Sequence, residues 1–98
     1  MPRLRIAKRL RVHIRRHWWR LEYVANLYPD RWGDCDWTKR RVRIRDKAAG
    51  VDRLDTIIHE MTHARFPDLS EDAVTDFAST VAAVLHQDGF TRHDDEED

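Results

Sequence analysis

The chain predicts an α+β domain in which a small antiparallel sheet from the N-terminal half packs on two helices from the C-terminal half. Three observations carry this. Over the first half, apolar residues alternate with arginine and histidine, the two-residue period of a strand. After Lys47-Ala48-Ala49-Gly50 they recur every three to four residues, the period of a helix. Pro67, Ser70 and Gly89 then punctuate the second half as a helix stop, a helix N-cap and a helix end.

Taken in order, Leu4, Ala7, Ile14, Trp18, Leu21 and Ala25 fit a helical stripe only if Arg11 is admitted to it. Alternation meets fewer exceptions: Leu4 and Ile6, then Leu10, Val12 and Ile14, then Trp19, Leu21 and Tyr23, so strands are expected here. Asn26 to Asp36 is rich in turn formers and reads as a long connection, before another alternating strand around Val42 and Ile44. Leu54, Ile57, Ile58, Met61 and Ala64 or Arg65 predict one helix of about four turns, ended by Pro67. Ser70 caps a second helix, with Glu71 and Asp72 in its first turn and Val74, Phe77, Ala78, Val81, Val84 and Leu85 as its buried stripe. Residues 1–91 are expected to form a single domain, and the like-charged tail over 92–98 to be disordered.

Composition bounds the function. At 98 residues there is room for one core, and 37% charged against 41% apolar residues leaves little apolar surface to spare. The single Cys35 excludes an internal disulfide, and no apolar run approaches the roughly 20 residues of a membrane span. The first residues lack the apolar stretch of a secretion signal, so a cytoplasmic protein with no membrane partner is expected. The net charge of zero conceals a split: residues 1–45 carry net +10 and residues 46–98 net −10. Attraction between the halves accounts for such a pattern, and so does a basic surface built for a polyanion.

His59-Glu60-Met61-Thr62-His63 reads H-E-x-x-H inside the first predicted helix. Histidines four apart project from one face one turn apart, which suits two imidazole ligands on one tetrahedral Zn²⁺, with Glu60 beside them to accept a proton from water. At about 100° per residue, Leu54, Ile57, Ile58, Met61 and Arg65 share one arc and the two histidines a second face outside it. A solvated face that holds two histidines by accident is the competing reading.

A zinc site with an open position needs a third protein ligand, and Glu71, Asp72, Asp76 and His86 are the candidates. Glu71 lies at the edge of the apolar stripe of the second helix and can face the first. Asp72 and Asp76 lie on roughly the opposite side, and His86 is about four turns farther on. Glu71 is therefore the expected ligand, against the alternative of a first-turn acid that only complements the helix dipole.

The run from Leu54 to Phe90, with its H-E-x-x-H helix, the short Phe66-Pro67-Asp68-Leu69 connection and the Ser70-Glu71-Asp72-Ala73-Val74 helix start, resembles the small SprT-like zinc metallopeptidases of bacteria and phages. Trp32-Gly33-Asp34-Cys35-Asp36 and the basic segment from Lys39 to Ile44 are similar to that group as well. The resemblance implies a minimal zincin-like metallopeptidase fold, Zn²⁺ on His59 and His63, Glu60 as general base and an acid such as Glu71 as third ligand. Larger members often add a Cys-rich zinc ribbon, which a single cysteine excludes here, and with it goes the support for their action on DNA-bound proteins. Tyr23, Tyr28, His86 and an arginine all remain open as the group that stabilises the oxyanion.

Arg3, Arg5, Arg9, Arg11, Arg15, Arg41, Arg43 and Arg45 alternate with apolar residues, so the strand reading gathers them on the outer face of the sheet. With Trp18 and Trp37 they could meet nucleic acid; pairing with acids of the same chain is the commoner fate of such a stripe. Cys35 sits between two acids that raise a thiol's pKa, so a buried structural role is expected of it. Two functions follow. One is a zinc-dependent hydrolase acting on a protein or peptide substrate, and the other is a zinc-stabilised module that binds nucleic acid or an acidic partner through its basic sheet. Glu60 favours the first, because a purely structural site has no use for an acid beside its first ligand.

Overall fold

The structure is a computed structural model and describes residues 5–27 and 31–91. Four strands, β1 (Ile6–Ile14), β2 (His17–Val24), β3 (Gly33–Asp36) and β4 (Arg41–Arg45), precede two helices, α1 (Gly50–Arg65) and α2 (Glu71–Gln87). The α+β architecture with strands first and helices second is as the periodicity predicts. Leu4, Arg3, Tyr28 and the acidic tail over 92–98 lie outside the described residues.

The sheet is mixed rather than wholly antiparallel, with spatial order β1-β2-β4-β3. β1 and β2 form an antiparallel hairpin, β3 and β4 a second one, and β2 and β4 run parallel with Leu21 opposite Val42 and Tyr23 opposite Ile44. Alternation along one strand is the same in either kind of pairing, so the sequence carries no signal for the parallel pair. β3 occupies the end of what reads as one long connection.

One face of the sheet carries the core. Ile14, Trp19, Leu21, Tyr23, Val42 and Ile44 are buried there together with Ala64 of α1. Removing most of a fully buried side chain such as Ile44 costs about 2–5 kcal/mol. Ile6 departs from the expected inward set. A bulge between Ile6 and Lys8 shifts the register, so Ile6 pairs with Val24 on the outer face while Lys8 moves inward over the Tyr23 ring.

The helices form successive layers, because α1 packs on β3 and β4 and α2 packs on α1. This gives α1 more buried surface than its apolar arc predicts. Arg53, Ile57, Glu60 and Ala64, spaced i, i+4, i+7, i+11, face the sheet: Arg53 lies over the Tyr23 ring, Ile57 and Ala64 join the core, and Glu60 meets Gly33. Among the described residues α2 packs chiefly on α1 and buries a narrow stripe of Val74, Ala78 and Ala82. Phe77 and Val84, expected in that stripe, are 51% and 59% exposed because among the described residues no second layer covers them. Ser70 caps α2 as its side chain accepts a hydrogen bond from the Ala73 amide, worth about 1 kcal/mol.

Both hairpin turns contain arginines in the left-handed region, Arg15 and Arg16 between β1 and β2 (φ 49° and 74°) and Arg40 before β4 (φ 50°). Positive φ at both central residues is the signature of a type I′ turn, which favours Asn-Gly, and each arginine there stores about 1 kcal/mol of strain.

Candidate metal centre

His59 and His63 leave α1 on the side that faces the start of α2, and the Ser70 cap fixes that start. Glu71 reaches across: its Oε2 lies 3.0 Å from Nε2 of His59 and its Oε1 2.8 Å from Nε2 of His63. One ligand atom from each of the three residues can be chosen so that all lie within 4.8 Å of one another. Two imidazole nitrogens and a carboxylate so placed could hold a metal ion, and they are the donor types that zinc accepts. The Glu71 side chain is 67% exposed and the imidazoles are mostly buried.

The histidine face is thus neither core nor plain solvent. The His59 and His63 rings lie 4.8 Å apart, and Trp37, in the turn between β3 and β4, donates its indole N–H to the His63 carbonyl at 3.1 Å. That bond anchors the last turn of α1, where a backbone carbonyl has no partner within the helix. A cleft of about 370 Å³ opens here, lined by Arg31, Gly33, Cys35 and Trp37 together with His59, Glu60, His63 and Glu71.

Glu60 is 9% exposed, yet its carboxyl lines this cleft. Burial first, then the negative charges of Asp34 and Glu71, push it up to about 7, opposed by Arg31. A carboxyl with a pKa near neutrality exchanges protons with little bias at physiological pH, which is what a general acid–base group requires. Its position depends on Gly33, because a Cβ there would lie 2.9 Å from both the Glu60 Cγ and the Thr56 Cγ2. Asp34 points to the opposite face of the sheet and takes a two-pronged bond from Arg43, at 3.1 and 2.6 Å.

The remaining sequence candidates separate cleanly. Asp72, Asp76 and His86 do not join the donor cluster. Tyr23 is buried in the sheet core beneath Arg53 and Lys8, and His86 is in the last turn of α2, so neither lines the cleft. Arg31 is the arginine that does. Nothing in the sequence separated it from the other arginines. Cys35 lies on the inner side of β3, and burial followed by Glu60, Asp34 and Asp36 pushes its thiol up to about 12, consistent with a structural role.

The arginine stripe is placed as alternation requires on β1 and β4, where Arg9, Arg11, Arg41, Arg43 and Arg45 share the outer face with Arg20 of β2. Much of it is answered within the chain. Buried Glu22 takes Arg9 at 3.1 Å and Arg20 at 3.9 Å, and Asp34 takes Arg43. Arg11 stacks on exposed Trp18. Arg5 precedes β1, Arg15 sits in a turn, and Trp37 is at the metal cleft rather than on this face. Among the described residues no helix is long and apolar enough to cross a membrane. Comparison with protein-family models, with curated proteins and with solved structures finds no match, so the reading of this site rests on its own residues and geometry.

Proposed function

We propose that this chain is a zinc-dependent hydrolase acting on peptide bonds, related to the SprT-like metallopeptidases that its motif resembles. The observation that carries the proposal is the convergence in one cleft of a His59–His63–Glu71 donor cluster and a carboxyl, Glu60, held near neutrality. Bound there, zinc supplies Lewis acidity to a scissile carbonyl and lowers the pKa of water toward about 7. Glu60 would accept the proton of the attacking water and return it to the departing amine. Arg31, which lines the cleft and whose charge is felt by Glu60, is the cation we assign to stabilising the oxyanion. The Trp37 bond to the His63 carbonyl holds one ligand-bearing turn in place.

The test is hydrolysis of a panel of unfolded proteins and DNA-bound proteins by the zinc-loaded chain, with and without chelator. Chelator-sensitive cleavage is expected, with Glu60→Gln lowering it at least about 100-fold while zinc stays bound. Chelator-insensitive cleavage, or none across the panel, would replace the enzyme by a zinc-stabilised binding module.

A further inference from the structure

A second cleft, of about 300 Å³, adjoins the metal centre on the far side of Trp37. Its floor is apolar, with Ile14, Trp19 and Ala64, and its rim carries Arg15, His17 and Arg40. Arg16 and Arg65 line a neighbouring depression that shares Arg15. Among the described residues none of Arg15, Arg16, Arg40 and Arg65 makes an ion pair, in contrast to Arg9, Arg20 and Arg43 on the outer face. Four arginines thus gather at two adjoining depressions, and among the described residues no acid pairs with them.

The backbone points the same way. The three non-glycine residues with positive φ among the described residues are Arg15, Arg16 and Arg40, all in this group. A two-residue I′ turn of Arg-Arg forgoes the Asn-Gly that the geometry favours. Two of the three, Arg15 and Arg40, line this cleft, and backbone strain of this kind clusters at ligand-binding positions.

We propose that this cleft is a substrate subsite for an oxyanion-bearing side chain, an aspartate, a glutamate or a phosphorylated residue of the protein held at the metal centre. The proposal rests on the peptidase reading for its substrate and on the cleft's own residues for its chemistry. Arginine presents a planar fork that pairs bidentately with carboxylate or phosphate, and the apolar floor accepts the methylene stem. Trp37 lines both clefts, so an extended peptide, at about 3.3 Å per residue, passes from one to the other within a few residues. These arginines are grouped at two adjoining depressions that share Arg15 rather than spaced along a track, which fits one or two anionic groups and not a nucleic-acid backbone.

The experiment measures binding of the intact chain to a blocked peptide with aspartates and glutamates around an Ala-Leu centre, to its Asn/Gln twin, and to a 15-nucleotide oligothymidine. Tryptophan fluorescence reports occupancy, because Trp19 and Trp37 line the cleft. The measurements are made under chelator as well as with zinc, so that a failure of hydrolysis and a failure of the subsite are read separately. The acidic peptide is expected to bind at least about tenfold more tightly than its twin, with the difference shrinking as salt rises. Arg15→Asn and Arg40→Asn should each reduce the preference while leaving the melting temperature unchanged or higher, because asparagine tolerates the left-handed region. Equal affinity for the two peptides, or a preference that survives the double variant, overturns the subsite. Tighter binding of oligothymidine through the same arginines overturns it in favour of a nucleic-acid site.

Discussion

Gly33 and Glu60 are in mutual contact across the β3–α1 interface, so close that a methyl group on Gly33 would lie 2.9 Å from the Glu60 Cγ and 3.1 Å from its Oε2. The absence of a side chain on β3 is what lets the glutamate lie between helix and sheet. Gly33→Ala is therefore expected to lower stability by about 1–3 kcal/mol and to displace the Glu60 carboxyl. Zinc affinity should change little, because the atoms a Cβ would meet belong to Thr56 and Glu60 and neither is in the donor cluster, while any chelator-sensitive hydrolysis should fall. Thermal melting together with zinc titration separates the two effects, and a variant that keeps wild-type stability and activity would show that β3 gives way.

Glu71 bridges both histidines, whereas Asp72 and Asp76 do not approach them. Glu71→Ala should weaken zinc binding by at least about 100-fold, and Asp72→Ala and Asp76→Ala should leave it nearly unchanged. Competition against a chromogenic chelator gives the three constants, and equal losses would refute the assignment.

The position of Glu60 imposes a pH dependence on the metal-free fold. The carboxyl is pushed up from 4.5 to about 7, chiefly by burial, so the folded chain holds its proton more tightly than the unfolded chain does. Below pH 4.5 both states are protonated and the full stability is present; as pH rises through 7 that contribution is lost. Under chelator, the wild type should lose about 2 kcal/mol relative to Glu60→Gln between pH 5 and pH 8. Melting curves of the two that run parallel across this range would refute it.

Cys35 offers an independent check of the same interface. With its thiol pushed up to about 12, the thiolate fraction at pH 8 is about a thousandfold below that of an exposed cysteine. Iodoacetamide should label the native chain at least about 100-fold more slowly than the denatured one. Comparable rates would place Cys35 outside the α1–β3 contact.

Much of this was legible in the residues, and the exceptions have physical causes. Alternation found β1, β2 and β4, and three-to-four spacing found both helices, because each has apolar residues on the face that meets a neighbour. β3 escaped because its inward residues are Gly33 and Cys35: the close approach of α1 admits only small side chains, and small side chains leave no hydrophobic signal. Phe77 and Val84 were misplaced because a stripe records which residues are apolar and not how many layers cover them. At the site, the five-residue spacing and the helix phase placed His59, His63 and Glu71 together, since helix geometry fixes those relations locally. The burial of Glu60, the role of Gly33 and the approach of Arg31 depend on pairing between distant segments, which no local pattern encodes.

The layered arrangement also separates the parts of the site by range along the chain. The donor cluster lies within one helix–turn–helix, from His59 to Glu71, with Trp37 anchoring its first helix from the β3–β4 turn. The environment of Glu60 needs β3, which pairs with β4, itself parallel to β2 with Arg41 beside Arg20. The three donors are thus near one another in sequence while the setting of Glu60 is drawn from distant segments, so a substitution that loosens the sheet acts on the carboxyl more directly than on the donors.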